Sequence, residues 1–260
     1  MGRKDDIRRM GESLDMLGLS RLDELLKENL VRMRPGEETT AAMADALAAY
    51  AAEERERRAE ALIQRAKLPA LAYMDDFWDY SVRVVDRELL KDAFGLHFLA
   101  DRRNMVIWGG SGTGKTWAGS VIATNACRSF YRTKWVEFPF LIRDLRQKAA
   151  KGGTALDSRL GYYCGFDLLC IDEFMSMDVE EEMSRNDVYL FQELVNKRII
   201  HRKSMLVIGQ CDPYKLDSFV KPKNAAQSIK GRLLGKATVI SMSGPDLRLY
   251  DPSNEDCLAT

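Results

Sequence analysis

The run Gly109-Gly110-Ser111-Gly112-Thr113-Gly114-Lys115-Thr116 constrains this chain more than any other segment. It is entered from the apolar stretch Asn104–Trp108 and left on a helical pattern from Thr116 to Phe130. Strand, glycine-rich turn and helix together form an anion nest. The glycines let the backbone turn its N–H groups inward, and the helix N-terminus adds its dipole. The spacing fits G-x-x-x-x-G-K-[ST], which arises by chance in about one chain of this length in a hundred. A turn without function is therefore the weaker reading. On the functional reading Gly109, Gly110, Ser111, Gly112, Thr113 and Gly114 shape a phosphate cradle. Lys115 reaches the β- and γ-phosphates, and the Thr116 hydroxyl binds Mg2+.

Such a site needs a carboxylate at the end of a buried strand. Leu168-Leu169-Cys170-Ile171 is an apolar run followed by Asp172-Glu173, some 56 residues after Thr116. Four apolar residues place Asp172 at the carboxyl end of a strand, where open α/β sheets bind ligands. Asp172 is expected to hold Mg2+ through its water shell, and Glu173 to orient and activate the attacking water. An acidic first turn of a helix would be the bland alternative, and its distance from the phosphate loop argues against it. The strand 205–208 ends in Gly209-Gln210-Cys211-Asp212-Pro213. A polar side chain there would lie near the γ-phosphate. Gln210 is the choice, with Cys211 and Asp212 as alternatives. Asn196-Lys197-Arg198-Ile199 lacks the Asp of a guanine-reading N-K-x-D motif. The adjacent Asp-Glu suits activation of water rather than its exclusion. The residues point to an ATP hydrolase.

Around these motifs, strands at 105–108, 134–138, 168–171, 205–208 and 238–241 alternate with helices at 116–130, 140–150, 188–200 and 225–234. That alternation predicts βαβ units and a parallel sheet. N-terminal to it, residues 5–34 carry apolar side chains at helical spacing as one segment, broken at Arg34-Pro35-Gly36, and Thr39–Lys67 reads as a second helix. The chain divides into a helical module at 1–68, a linker at 69–86, an α/β domain at 87–250 and a tail at 251–260. Phe77, Trp78 and Tyr80 in the linker suggest packing against a neighbouring domain, with a ligand pocket as the minor reading.

With 39 Lys plus Arg against 39 Asp plus Glu, a chain-wide polycation is excluded. The charge is nevertheless uneven. Residues 172–193 hold eight acids and one Arg, a sum of −7, and residues 196–236 hold ten Lys/Arg and two Asp, a sum of +8. These read either as solvated faces or, for the basic run, as a surface that contacts phosphates. No apolar run is long enough to span a membrane, and the first fifteen residues are too polar for a signal peptide. Five scattered cysteines without a C-x-x-C pair argue against a zinc site and a disulfide framework, so the cytosol is the expected setting.

Residues from about 40 to 250 resemble the IstB-like family of AAA+ ATPases, relatives of the DnaC-type helicase loaders. The resemblance rests on the Ala/Arg-rich helix running into Lys67-Leu68-Pro69, the Asp76-Phe77 segment, the Walker A loop GGSGTGKT and the Walker B strand LLCIDEF. It also rests on Gly231-Arg232-Leu233 and on Gly244-Pro245-Asp246-Leu247-Arg248. It implies a P-loop AAA+ domain, a parallel sheet flanked by helices, with a small all-α N-terminal module. Arg232 falls where such proteins keep an arginine finger acting on a neighbouring subunit's ATP; its bland reading is a DNA-facing or solvated cation. Arg248 falls near a terminal Gly-x-Ser-x-Arg pattern and would be a second sensor, although Asp246 stands in place of the Ser. Gly231 replaces the usual Asp, and GQCDP departs by one residue from the usual sensor segment.

The resemblance further implies a homo-oligomer with ATP at subunit interfaces, assembled on double-stranded DNA, that recruits or stimulates a transposase. A helicase loader with the same engine is the alternative. A nucleotide-gated scaffold without turnover is a third reading, against which Glu173 argues. Residues 1–70 carry 13 Lys/Arg and 14 acids, so charge does not single out the N-terminal module as the DNA-binding element.

Overall fold

The apolar segment at 5–34 forms two helices rather than one. In a computed structural model that describes residues 3–16, 18–32, 39–74, 84–175 and 184–249, α1 (Arg3–Met16) and α2 (Ser20–Arg32) are separated at Gly18. Gly18 has φ +70°, and its N–H donates to the Asp15 carbonyl at 3.0 Å. The Leu19 N–H reaches back to the Leu14 carbonyl at 2.8 Å. This pair of bonds is a Schellman termination, which favours a residue without a Cβ at the left-handed position. The helical spacing therefore continues across a chain reversal that the periodicity conceals.

The long helix α3 (Thr39–Ala66) follows. Leu22, Leu25 and Leu26 of α2 and Ala46 of α3 are buried together, with Met10, Leu14, Leu19, Ala49 and Tyr50 packed against them. Arg21 grips Glu53 through two bonds of 2.8 Å. The chain divides into two compact units, Met1–Glu60 and Ala61–Thr260.

In the second unit, α4 (Arg87–Phe94) leads to five strands: β1 (Met105–Gly109), β2 (Thr133–Glu137), β3 (Leu168–Phe174), β4 (Ser204–Gly209) and β5 (Thr238–Met242). All pairings are parallel, in the order β2-β3-β4-β1-β5. Successive side chains point to opposite faces, and both faces are covered, so the central strands are buried almost throughout. Met105, Ile107, Leu168, Cys170, Leu206 and Ile208 join a cluster with α4 and α5 (Lys115–Arg128). Val106, Leu169, Ile171, Met205 and Val207 join a second cluster with α6 (Phe138–Ala149), α7 (Gly153–Cys164), α8 (Arg185–Ile200) and α9 (Lys223–Leu234). The result is a three-layer α/β sandwich, as the alternation of strands and helices predicts.

Two of these helices, α4 and α7, have no counterpart among those the sequence pattern predicts. In α7 the glycines Gly153 and Gly161 weaken the helical pattern, yet Leu160 and Tyr163 are fully buried in the core. The linker aromatics Phe77, Trp78 and Tyr80, the residues Asp76 and Asp178–Glu182, and the tail 251–260 lie outside the described residues.

Candidate active site

Because every strand is parallel, the carboxyl ends of all five lie on one side of the sheet. The register matches Glu137 with Asp172, Trp108 with Gly209 and Gly109 with Met242. The phosphate loop, the acidic pair and the Gly209–Asp212 segment thus share one edge, where helix N-termini and loops converge.

The loop is built as an anion cradle. Gly112 and Gly114 have φ +70° and +90°, values that a side chain would strain. Gly109 has φ +147°, and a Cβ there would overlap the Met242 backbone. The Thr113 hydroxyl donates to the Gly110 carbonyl at 2.9 Å, and the Lys115 ammonium donates to that same carbonyl. Lys115 is nearly buried at the first turn of α5. Burial pulls its pKa below the ordinary lysine value, with Arg248 acting in the same direction and Asp172 and Asp246 opposing. A desolvated ammonium facing an N-terminal helix end is matched by a phosphate rather than by water.

Strand β3 extends through Phe174, further than its four apolar residues suggest. Ile171 pairs with Val207 and Phe174 with Gly209, so Asp172 and Glu173 together oppose one residue of β4. This bulge re-aims the two carboxylates. Glu173 sits at φ +55°, a backbone strain that clusters at functional positions. Asp172 is buried. Its Oδ1 accepts the Glu173 N–H at 2.8 Å, and its carboxylate also accepts the Thr116 hydroxyl. Burial raises the Asp172 pKa, and Glu137 adds to the rise; the Glu173 N–H, Thr116 and Lys115 hold it back. The more exposed Glu173 is likewise raised, by burial first and then by Glu137 and Asp172. Glu137 was not singled out in the sequence. The signal for it is a lone acid closing an apolar strand, beside the strand that carries the Asp-Glu pair.

Hydroxyl and carboxylate oxygens at Thr116 and Asp172 are hard donors of the kind Mg2+ takes. Among the described residues no cluster of three His, Cys, Asp or Glu could hold a metal alone. Two protein ligands fit an ion that keeps several waters and shares substrate phosphates. The residues present therefore fit Mg2+ held between this pair and a triphosphate.

Of the three sensor candidates, Cys211 donates its thiol to the Met175 carbonyl at 3.0 Å, and Asp212 accepts the Tyr214 N–H at 2.9 Å. Gln210 is exposed at the end of β4, and no described hydrogen bond uses its side chain. Gly209 is itself required, since a Cβ there would overlap the Phe174 carbonyl.

Arg232 lies elsewhere. Its exposed side chain, in the last turn of α9, donates to Ser228. The Asn104 amide donates at 3.3 Å to the carbonyls of Arg232 and Leu233. Asn104 precedes β1, whereas Lys115 follows it. Arg232 is therefore at the opposite pole of the sheet from the phosphate loop of its own chain. Arg248, by contrast, is at the loop: its Nη2 donates to Ser111 Oγ at 2.9 Å.

The basic run does not form one surface. Arg198 is fully buried, and Lys197, Lys203 and Lys230 pair with Asp157, Asp167 and Asp217. The exposed cations of the run are Arg202, Lys215, Lys221, Lys223, Arg232 and Lys236. Along the open edge of β2 a cleft of about 450 Å3 is lined by Lys67, Lys134, Glu137, Phe140, Arg159 and Tyr162, among others, with Arg159 paired to Asp144. Burial, with Lys67 and Arg159 nearby, lowers the Lys134 pKa. The residues lining the cleft come from distant parts of the sequence and carry no local signal.

A family model for IstB-like ATP binding proteins matches residues 13–254. The chain belongs to that family. Among relatives, this IstB-like chain is 29% identical over 191 residues to a protein described as the ATP-binding protein of insertion sequence IS232 from Bacillus thuringiensis subsp. berliner, covering 73% of both chains. It is 26% identical over 186 residues to an insertion-sequence ATP-binding protein of Sinorhizobium fredii, covering 72% of each. The fold is similar to that of DnaI, with a TM-score of 0.52 at 20% identity over 68% of this chain and 90% of that one. It is also similar to DnaA from Aquifex aeolicus bound to AMPPCP, with a TM-score of 0.53 at 19% identity over 70% and 53%. The fold is thus that of the AAA+ P-loop proteins, and ATP binding follows from the family. No described helix is long and apolar enough to cross a membrane.

Proposed function

We propose that this IstB-like protein is an Mg2+-dependent ATP hydrolase that assembles as a homo-oligomer on double-stranded DNA in the cytosol and recruits or stimulates a transposase. The observation that carries the reading is the division of the catalytic parts between the two poles of the sheet. The phosphate loop, Asp172 and Glu173 share one pole, and Arg232 occupies the other.

Within one chain, Lys115 and the loop N–H groups bind the β- and γ-phosphates. Thr116 and Asp172 would hold Mg2+, which supplies charge neutralisation on the phosphates. The bulge presents Glu173 as the base that takes a proton from the attacking water, and Gln210 orients that water. Charge grows on the transferred phosphoryl oxygens, and a guanidinium stabilises it. Arg232 cannot fold back to its own loop, so it serves a neighbouring copy. Hydrolysis is then coupled to assembly.

The insertion-sequence context of the relatives supports transposition as the setting. The exposed cations of α9 and its flanks, together with Lys67 and Lys134, would contact phosphates without reading bases. The test is sedimentation of the protein with ATP on long duplex DNA and on single strands, at low and moderate salt. Nucleotide-dependent assembly on duplex that weakens with salt is expected. Assembly on single strands alone would replace this reading with a helicase loader, and ATP binding without turnover would reduce the protein to a nucleotide-gated scaffold.

A further inference from the structure

The segment after β5 closes over the tip of the phosphate loop. Ser243 exchanges two backbone bonds with Val84, at 2.8 and 3.0 Å, which fixes the segment where it leaves the sheet. The Leu247 N–H then donates to the Gly112 carbonyl at 3.0 Å. Asp246 lies so close over Gly112 that a Cβ on that glycine would overlap its carboxylate. Arg248 clasps the same carboxylate through Nε at 2.9 Å and Nη2 at 2.5 Å, and its backbone N–H donates to Oδ1 at 3.0 Å. The Nη2 also donates to Ser111 Oγ. A carboxylate thus sits on the phosphate loop, paired with a cation that itself contacts that loop at Ser111.

We propose that Asp246 is an affinity-setting residue, an internal anion that competes with the nucleotide phosphates for Arg248. The inference rests on reading Gly109–Thr116 as the nucleotide site and adds a residue that this reading does not require. The carboxylate repels an incoming polyanion and occupies a bidentate donor that the polyanion would otherwise engage. Binding therefore requires Arg248 to exchange one anion for another. Arg248 holds the Asp246 pKa down to about 2, so the carboxylate stays charged at every working pH and the competition is constant rather than pH-gated.

The test is titration of the full chain with a fluorescent N-methylanthraniloyl derivative of ATP at fixed ionic strength. Asp246→Asn preserves the shape of the side chain, and Asp246→Ala serves as a second variant should the first not fold. Either is expected to bind the probe about threefold to fivefold more tightly, the size of a partly exposed charge contact. That gain should shrink when Arg248→Ala is already present, because there is then no cation to compete for. A gain of equal size in both backgrounds would overturn the competition, leaving simple repulsion. Unchanged or weaker binding by the Asp246 variants would overturn the proposal outright and make Asp246 a support that orients Arg248. Lys115→Ala separates this from the underlying reading. If that variant still binds the probe as the parent does, the nucleotide site itself has been misassigned.

Discussion

Arg198 donates to the carbonyl oxygen of Ser204 across 2.5 Å, tying the last turn of α8 to the first residue of β4. The same guanidinium donates to the Tyr163 carbonyl at 2.5 Å, at the end of α7. Burial lowers its pKa to about 10, so it remains charged at neutral pH. Replacing Arg198 with Met keeps the volume but leaves two buried carbonyls without this donor, at about 1–3 kcal/mol each. Relief of the desolvated charge offsets part of this. Arg198→Met should lower stability by about 3 kcal/mol in denaturant unfolding, while Lys223→Ala, at an exposed member of the same basic run, should leave it unchanged. An unaltered midpoint for Arg198→Met would show that the buried charge is neutral in effect.

The fully buried Asp187 predicts a pH effect on stability. Burial would raise its pKa, but Arg146, through bonds of 2.9 and 2.6 Å, and the Ser184 hydroxyl and N–H, at 2.8 Å each, outweigh burial and hold it below 3.8. A depressed carboxylate contributes stability above its unfolded value and loses it as pH falls through the folded one. The stability gap between the parent and Asp187→Asn should therefore be constant near neutral pH and close below about pH 3.8. At neutral pH, Arg146→Met should cost about 2 kcal/mol, since it strips a buried carboxylate of its charged donor. A gap that does not narrow in acid would exclude the pairing as its source.

Glu173→Gln should bind ATP as the parent does and lose turnover by at least about a hundredfold, the usual contribution of a positioned base. Lys115→Ala should lose binding itself. Equilibrium nucleotide binding and single-turnover hydrolysis, measured on the same preparations, distinguish the two. Persisting turnover in Glu173→Gln would move the base to another residue, with Glu137 the nearest candidate by register.

The candidate site is more legible in the sequence than the scaffold around it. Gly109–Thr116 and Asp172-Glu173 announce themselves because phosphate chemistry dictates residue types at fixed spacing, and the apolar strands leading to them need only a period of two. Gly18 shows the limit of periodicity, since a Schellman turn preserves helical spacing through a reversal. Helix α7 shows another, because tertiary burial of Leu160 and Tyr163 outweighs the weakening effect of its glycines. The basic run from 196 to 236 reads as a solvated face or as a phosphate-contacting surface because sequence reports charge but not its partner. Asp157, Asp167, Asp217 and the carbonyls around Arg198 come from elsewhere in the chain. For the same reason the cations of the β2 cleft and the grip of Arg248 on Ser111 and Asp246 appear only in three dimensions.

In the proposed mechanism, one chain's phosphate loop is completed by the next chain's Arg232. The most direct test is steady-state ATP hydrolysis of Arg232→Ala, of Glu173→Gln and of their equimolar mixture. Each variant alone should be inactive, the first lacking the finger and the second the base. In the mixture, an intact Arg232 from the Glu173→Gln copy should restore turnover at the otherwise complete site of the Arg232→Ala copy. A mixture as inactive as its components, in protein that still binds ATP and co-assembles, would contradict the shared site.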